Sequence, residues 1–508
     1  MIAARMRLLV HAVLAVSILS LAFSADAGER EARRQFDRVK DDPVALRRFL
    51  FAMPKGADLH NHLSGGIYAE SYINWAAEDG KCVDLQTFAV IMAPCDIDSG
   101  QTRFADIQAD WDTVNRIIDG FSVRNYQRGQ VSGHKQFFST FARFAGAAVG
   151  REGDMLAEAS ARAARQNVPY LELMQSSGML SAQSVADNPD LFDASLPVEQ
   201  LLNNNSISNL VTDTIARLDG IEQRRREVLA CDQDNADPGC KVNIRYLAQV
   251  IRTTPRRQVL AQTLLAVRLI AADDRYVGLN FVAPEDHSIT LRDHQWQMEQ
   301  IATAAASLPE EQRKITLHAG ELALGLVPPE YLGRHVRQAI EIAGARRIGH
   351  GVDIVHDPDY DQLMTWMADN SVAVEINLTS NDIILGVSGA EHPFESYRRH
   401  GVPITLSTDD AGVLRIDLTH EYQRGVETYD LSYQEIKRIS RNALSYSFLS
   451  GASLFAGSAG QYVDLCRRSK PGAAAPEKAC AEFLAASEKA RLQWDLEARF
   501  REFEAAFK

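Results

Sequence analysis

Two carboxylates stand side by side at Asp409 and Asp410, directly after the apolar and β-branched run Val402-Pro403-Ile404-Thr405-Leu406 and the short Ser407-Thr408 step. Adjacent acids at the end of a buried strand repel one another unless a cation or a substrate proton separates them. Three upstream segments supply imidazoles to hold such a cation. Asp58-Leu59-His60-Asn61-His62-Leu63-Ser64-Gly65-Gly66 places His60 and His62 two apart, so on a strand both point to one face. Thr316-Leu317-His318-Ala319-Gly320-Glu321 sets a third histidine and a carboxylate across a small-residue turn, and Arg347-Ile348-Gly349-His350-Gly351 sets a fourth histidine between glycines. Three histidines and an aspartate are donors suited to one Zn²⁺ per chain, with a position left for water. Glu321 can then act as an acid or base over the metal, and the chemistry indicated is hydrolytic.

These residues are scattered over some 350 positions, so the fold must gather them. Strand-like runs occur within Met53 to Gly66, where a short strand closes on a Gly-rich turn, and near Val168 to Met174, Val242 to Val250, Tyr276 to Val282, Ile315 to Leu317, Arg347 to Ile348, Val372 to Ile376 and Val402 to Leu406. Helix-length segments separate them in the second half. Strands alternating with helices, eight in all, predict an α/β protein of the (β/α)8 TIM-barrel type, whose strand ends share one site. The segment from Glu29 to Phe51 predicts one amphipathic helix or two, Tyr68 to about Asn167 is helical in pattern around a Cys82 to Cys95 loop, and Ala486 to Phe507 predicts a terminal helix. The aromatic stripe Phe137-Phe138-Ser139-Thr140-Phe141 is expected in the core.

The chain has 508 residues, 46% hydrophobic and 24% charged, with a formal charge of −13. That balance argues against a phosphate-tracking nucleic-acid surface. No G-x-x-x-x-G-K phosphate loop and no H-x-E with P-C-x-x-C deaminase signature is present. Arg5 and Arg7 precede the apolar run Leu8 to Phe23 and an Ala25-Asp26-Ala27 cleavage site, which predicts a cleaved secretory signal and a secreted or periplasmic protein without a membrane span. An uncleaved anchor is the alternative. Six cysteines fall into the local pairs Cys82 and Cys95, Cys231 and Cys240, and Cys466 and Cys480, expected as disulfides in an oxidising compartment.

The ordered segments PKGADLHNHLSGG, TLHAGE, RIGHG and LSTDDAG resemble the adenosine deaminase family of metal-dependent amidohydrolases, from about Pro54 to Tyr446. The helical extension and stapled insertions resemble its secreted adenosine deaminase-related growth factor branch. The resemblance implies that His60, His62, His318 and Asp409 are zinc ligands, that Glu321 protonates purine N1, that His350 orients the attacking hydroxide, and that Asp410 bonds to purine N7. It implies conversion of adenosine, or a related adenine nucleoside, to inosine and ammonia. Ser64 stands where the intracellular enzymes carry a ribose-contacting Asp, and Ala283-Pro284 where they carry a Gly approaching N3, so the sugar side departs from their pattern. Ser380 and Asn381, in EINLTSND, resemble a segment near the family's pocket.

On this reading the chain divides into a signal at 1–27, a helical extension at 28–53, a barrel at 54–450 with insertions at about 67–167 and 184–241, and a helical tail at 451–508. The partner is a small purine nucleoside; the insertion from Ser184 to Lys241 is the candidate for a homodimer contact or a lid. Two other functions stay open: a different amidohydrolase reaction, on adenine, a modified nucleoside or an amide, and a secreted binding or signalling protein with a vestigial site.

Overall fold

The computed structural model describes residues 27–457, 460–472 and 475–507. The signal segment lies, but for Ala27, outside the described residues. Eight parallel strands close into a barrel: β1 (Asp58–His62), β2 (Tyr170–Gln175), β3 (Asn243–Ile251), β4 (Tyr276–Val282), β5 (Thr316–Ala319), β6 (Arg347–His350), β7 (Ala373–Ile376) and β8 (Ile404–Leu406). Ladders join β1 through β4 and β5 through β8 in chain order. Single parallel bridges complete the ring, Leu279 with Ile315 and Asn61 with Asp409. All eight strands expected from the sequence are therefore present and in one ring.

The β8 to β1 closure is made at the metal-ligand candidates themselves. The Asp409 N–H donates to the His60 carbonyl at 2.8 Å, and the His62 N–H donates to the Asp409 carbonyl at 3.0 Å. Beneath them Thr408 Oγ1 donates to Asp58 Oδ2 at 2.6 Å, and Asn61 Nδ2 donates to the same oxygen at 3.0 Å. Closing the barrel and assembling the site are one event, because the same backbone groups do both.

Helices surround the ring. Helix Arg256–Ala272 buries Val259, Leu260, Leu264 and Val267 among others against the sheet, as the continuous apolar character of strands buried on both faces requires. The amino-terminal region forms two helices, residues 27–39 and Pro43–Ala52, the second capped by the Asp42 side chain. The second packs on the last helix, Glu488–Ala505, through Phe49 and Phe503, whose ring centroids lie 5.1 Å apart, and the first packs on the second through Phe36 and Phe49 at 5.4 Å. Cys82 and Cys95 do not bracket a plain loop: Cys82–Asp84, Val90–Ile91 and Gln101–Arg103 form a small antiparallel sheet. Alternation over three residues is too short to be read from sequence. In the next insertion the Asn run proves to be a cap, Asn204 accepting from the Ile207 N–H at the start of the 24-residue helix Asn205–Val228. The structure bonds Cys82 to Cys95, Cys231 to Cys240 and Cys466 to Cys480.

One buried acid lies apart from the strand ends. Glu421, on helix Leu418–Tyr429, is fully buried, accepts from the Thr379 N–H and hydroxyl, and has its carboxyl pushed up to about 7 by burial. A folded-state value above the unfolded one means that the native chain binds the extra proton. The stabilisation is complete below the unfolded value of 4.5 and is lost as pH rises through about 7, a difference of about 3 kcal/mol. Glu421→Gln is expected to leave thermal stability near wild type at pH 4.5 and to exceed it at pH 8, measured by differential scanning calorimetry; a pH-independent difference would refute the assignment.

Candidate active site

Each of the three clustered histidines is aimed by a partner behind it. His60 Nδ1 donates to Glu375 Oε2 at 2.7 Å, His62 Nδ1 to Gln249 Oε1 at 2.8 Å and His318 Nδ1 to Asn280 Oδ1 at 2.9 Å. With Nδ1 protonated in every case, all three Nε2 lone pairs face one point. His318 Nε2 lies 3.1 Å from His60 Nε2 and 3.2 Å from His62 Nε2, and Asp409 Oδ1 lies 3.4 and 3.3 Å from the latter two. Four electron-rich atoms this close repel without a cation, and Asp409 Oδ1 is buried without a hydrogen-bond partner. Ligands about 2.1 Å from a tetrahedral metal stand about 3.4 Å from one another. The residues thus fit a metal ion in both donor type and spacing.

The surrounding charges carry the same message. Burial works against a proton on His60, yet hydrogen bonds and charges from Asp409 and Glu375 raise it to about 10, so this pocket favours a cation. Burial, with His60, His350 and His62 as neighbours, holds His318 well below the usual imidazole range. Packing explains the glycine before His350: a Cβ on Gly349 would lie 2.5 Å from His60 Cε1. Likewise a Cβ on Gly65 would overlap the Asp410 carboxylate at 1.5 Å.

Ala283, His350 and Asp409 have φ of 84°, 67° and 57°. A left-handed backbone at three non-glycine strand ends stores strain of about 1 kcal/mol or more at each, and strain of this kind collects at functional sites. Ala283 and Asp409 border one space, and His350 stands behind it, its ring centroid 5.1 Å from that of His318. A cavity of about 310 Å³ opens there, lined by His62, His318, Glu321, Asp409 and Asp410 on its polar side and by Phe138, Phe141, Ile251, Val282, Ala283 and Pro284 on its apolar side. The aromatic stripe is thus split. Phe137 is 2% exposed and packs in the core while also reaching the wall, and Phe138 and Phe141 roof the cavity, so the expectation of a purely core stripe is corrected.

Glu321 is buried, and burial together with the Asp409 and Glu285 charges keeps its carboxyl well above the ordinary range. Glu285 fixes its backbone: the Gly320 and Glu321 N–H groups donate to the two Glu285 oxygens at 2.9 and 2.7 Å. His335 Nδ1 supports Glu285 at 2.5 Å and stacks on His294 at 3.7 Å. Asp410 is pushed up to about 8 by burial and by its neighbour Asp409, against His62, and its Oδ1 has no partner. His350 lies 3.6 Å from Glu321 Oε1 through Nδ1. Ser64 stands apart. It lines an adjoining cavity of about 360 Å³ with Leu63, Met174, Gln175 and Arg217, and Gln249 forms the wall between the two spaces.

The residues that sequence reasoning did not single out are Glu375, Gln249, Asn280, Glu285, Arg347 and His392. Their signal was present: a polar or charged residue inside an apolar strand, as in Ala373-Val374-Glu375-Ile376 and Leu279-Asn280-Phe281, has to satisfy something inside the barrel.

A closed (β/α)8 barrel with a His₃Asp cluster and a buried acid at the carboxy-terminal strand ends defines a metal-site hydrolase barrel. The adenosine deaminase family model matches residues 156–453, and the chain belongs to that family. A stretch of 139 residues, 27% of this chain, is 40% identical to the adenosine deaminase of Edwardsiella ictaluri, and 137 residues are 40% identical to that of Klebsiella pneumoniae. In both cases the match spans 38% of the relative's length. The apo N6-methyl-AMP deaminase of Arabidopsis thaliana shares the fold, with a TM-score of 0.51 and 21% identity over 80% of this chain and 94% of that one.

Proposed function

We propose that the protein hydrolyses the exocyclic amine of an adenine nucleoside, adenosine in the simplest case, to give the inosine-type product and ammonia. The observation that carries this reading is a buried Glu321 in the apolar-walled cavity onto which the cluster of four converging metal donors opens through His62, His318 and Asp409. His60, His62, His318 and Asp409 would hold one Zn²⁺, which when bound lowers the pKa of water to about 7 and so provides a nucleophile at neutral pH. Glu321 delivers its proton to ring N1, which makes C6 electrophilic. Asp410, protonated in its buried setting, donates from its free oxygen to N7 and fixes the ring in plane. His350 holds the attacking oxygen beside C6. Phe138 and Phe141 cover the base and keep bulk water out, which strengthens each of these polar contacts. The C6 amine departs as ammonia with the proton given up by the newly added C6 hydroxyl, which becomes the carbonyl, and the proton released when the water ionised restores Glu321.

Ser64 opens on the adjoining cavity rather than on the purine-sized one. A nucleoside carrying a substituent on its sugar is therefore the second reading. The three disulfides suit an oxidising compartment, which supports a secreted or periplasmic setting, and no helix among the described residues is long and apolar enough to cross a membrane.

Metal-replete protein is expected to release ammonia from adenosine in a panel that includes 2′-deoxyadenosine, AMP, N6-methyl-AMP and adenine. Chelation should abolish the reaction, and one equivalent of Zn²⁺ should restore it. No ammonia from any adenine derivative would overturn the proposal.

A further inference from the structure

His350 has a history of hydrogen bonds behind it that the chemistry above does not use. The Phe394 N–H donates to His392 Nδ1 at 3.1 Å, so His392 carries its proton on Nε2. That proton meets Asn381 Oδ1 at 3.0 Å, which turns the amide nitrogen of Asn381 the other way. Asn381 Nδ2 then donates to His350 Nδ1 at 2.8 Å. With Nδ1 accepting, His350 must carry its own proton on Nε2, and Nε2 is buried without a partner. Each step has one direction only, because a backbone N–H at the far end cannot accept and an amide cannot present two donors through its oxygen. His350, Asn381 and His392 are 0%, 0% and 3% exposed, so water cannot substitute for any link.

We infer that Asn381 and His392 are positioning residues that lock His350 in the Nε2–H tautomer, making it a hydrogen-bond donor to the reacting oxygen and not a proton acceptor. Buried histidines with one nitrogen committed to a fixed partner keep a fixed tautomer. The lock reaches over 40 residues of sequence from Phe394 back to β6, and links the β7 exit, which carries Asn381, to the β6 exit, which carries His350.

The inference rests on the deaminase reading only for its kinetic consequence. The tautomer itself is read by long-range ¹H–¹⁵N correlation on zinc-loaded, ¹⁵N-histidine-labelled full-length protein. Wild type is expected to show His350 and His392 protonated on Nε2. Asn381→Asp presents acceptors alone and is expected to move the His350 proton to Nδ1 or to yield an imidazolium, with kcat about 10–100-fold lower, KM little changed and zinc content intact. His392→Leu should weaken the Nε2–H signature and lower kcat in the same sense, whereas His392→Gln, which retains an amide donor near the Nε2 position, should recover both. A His350 tautomer unchanged by Asn381→Asp, or an unaltered spectrum and kcat in His392→Leu, would overturn the lock. Absence of deamination by wild type with the predicted tautomers in place would instead overturn the functional reading alone.

Discussion

Glu321→Gln is expected to lower kcat on adenosine by about 10³-fold while the protein still binds one zinc ion. The substitution keeps the shape of the side chain and its capacity for a hydrogen bond to N1, and removes only the transferable proton. Its backbone setting should survive, since Glu285 holds the Gly320 and Glu321 N–H groups and not the side chain. Glu321 is also no part of the four-atom cluster formed by His60, His62, His318 and Asp409. Steady-state kinetics with zinc quantified by mass spectrometry separate the two properties. Normal turnover in a zinc-loaded variant would remove Glu321 from proton transfer; loss of zinc with loss of turnover would place it among the ligand supports.

The barrel was legible because β-branched and apolar runs recur at its eight strands and the polar residues follow each run at once, as in LSTDD and TLHAGE. The cluster of His60, His62, His318 and Asp409 was legible for a related reason: strand geometry sends residues two apart to one face, and a parallel barrel brings every strand end to one rim. What stayed hidden is set by contacts distant in sequence. Glu375 bonds His60 across 315 positions, and His392 reaches His350 only through an intervening amide. Periodicity carries no information about such pairs. Phe138 and Phe141 were hidden differently, since an aromatic stripe on a helix has the same spacing whether it faces a core or a cavity. Ser64 follows the strand of His60 and His62 by two residues, yet it lines the adjoining cavity, with Gln249 between the two spaces.

Arg347→Met is expected to destabilise the metal-free protein by about 3–5 kcal/mol. Arg347 is fully buried inside the barrel, with Nη2 2.7 Å from Glu172 Oε2, Nε on Glu375 Oε1, Nη1 donating to the Tyr446 carbonyl at 3.0 Å and the guanidinium 3.8 Å over the Phe448 ring. Against the upward push of burial, the Arg347 charge and the His60 hydrogen bond hold the Glu375 carboxyl down at about 2. Methionine fills the volume but leaves two carboxylates without their cation, and each must either stay charged in a dry interior or take up a proton. Arg347→Lys is not expected to rescue, because the three donors of an ammonium sit on one atom and cannot span acceptors that the guanidinium reaches from three separate nitrogens, Nε, Nη1 and Nη2. Urea unfolding measures the loss; a variant within about 1 kcal/mol of wild type would show the triad to be dispensable. The damage should also reach the metal, since a protonated Glu375 no longer draws the His60 Nδ1 proton, and a weakened support of this kind lowers metal affinity by about 10–100-fold. Replacing Glu172, Arg347 and Glu375 together with apolar residues is then expected to recover stability without recovering zinc affinity in a competitive chelator titration. Burial of a well-packed apolar trio removes the unpaired charges, whereas only an acceptor at position 375 can keep His60 Nε2 free for the metal.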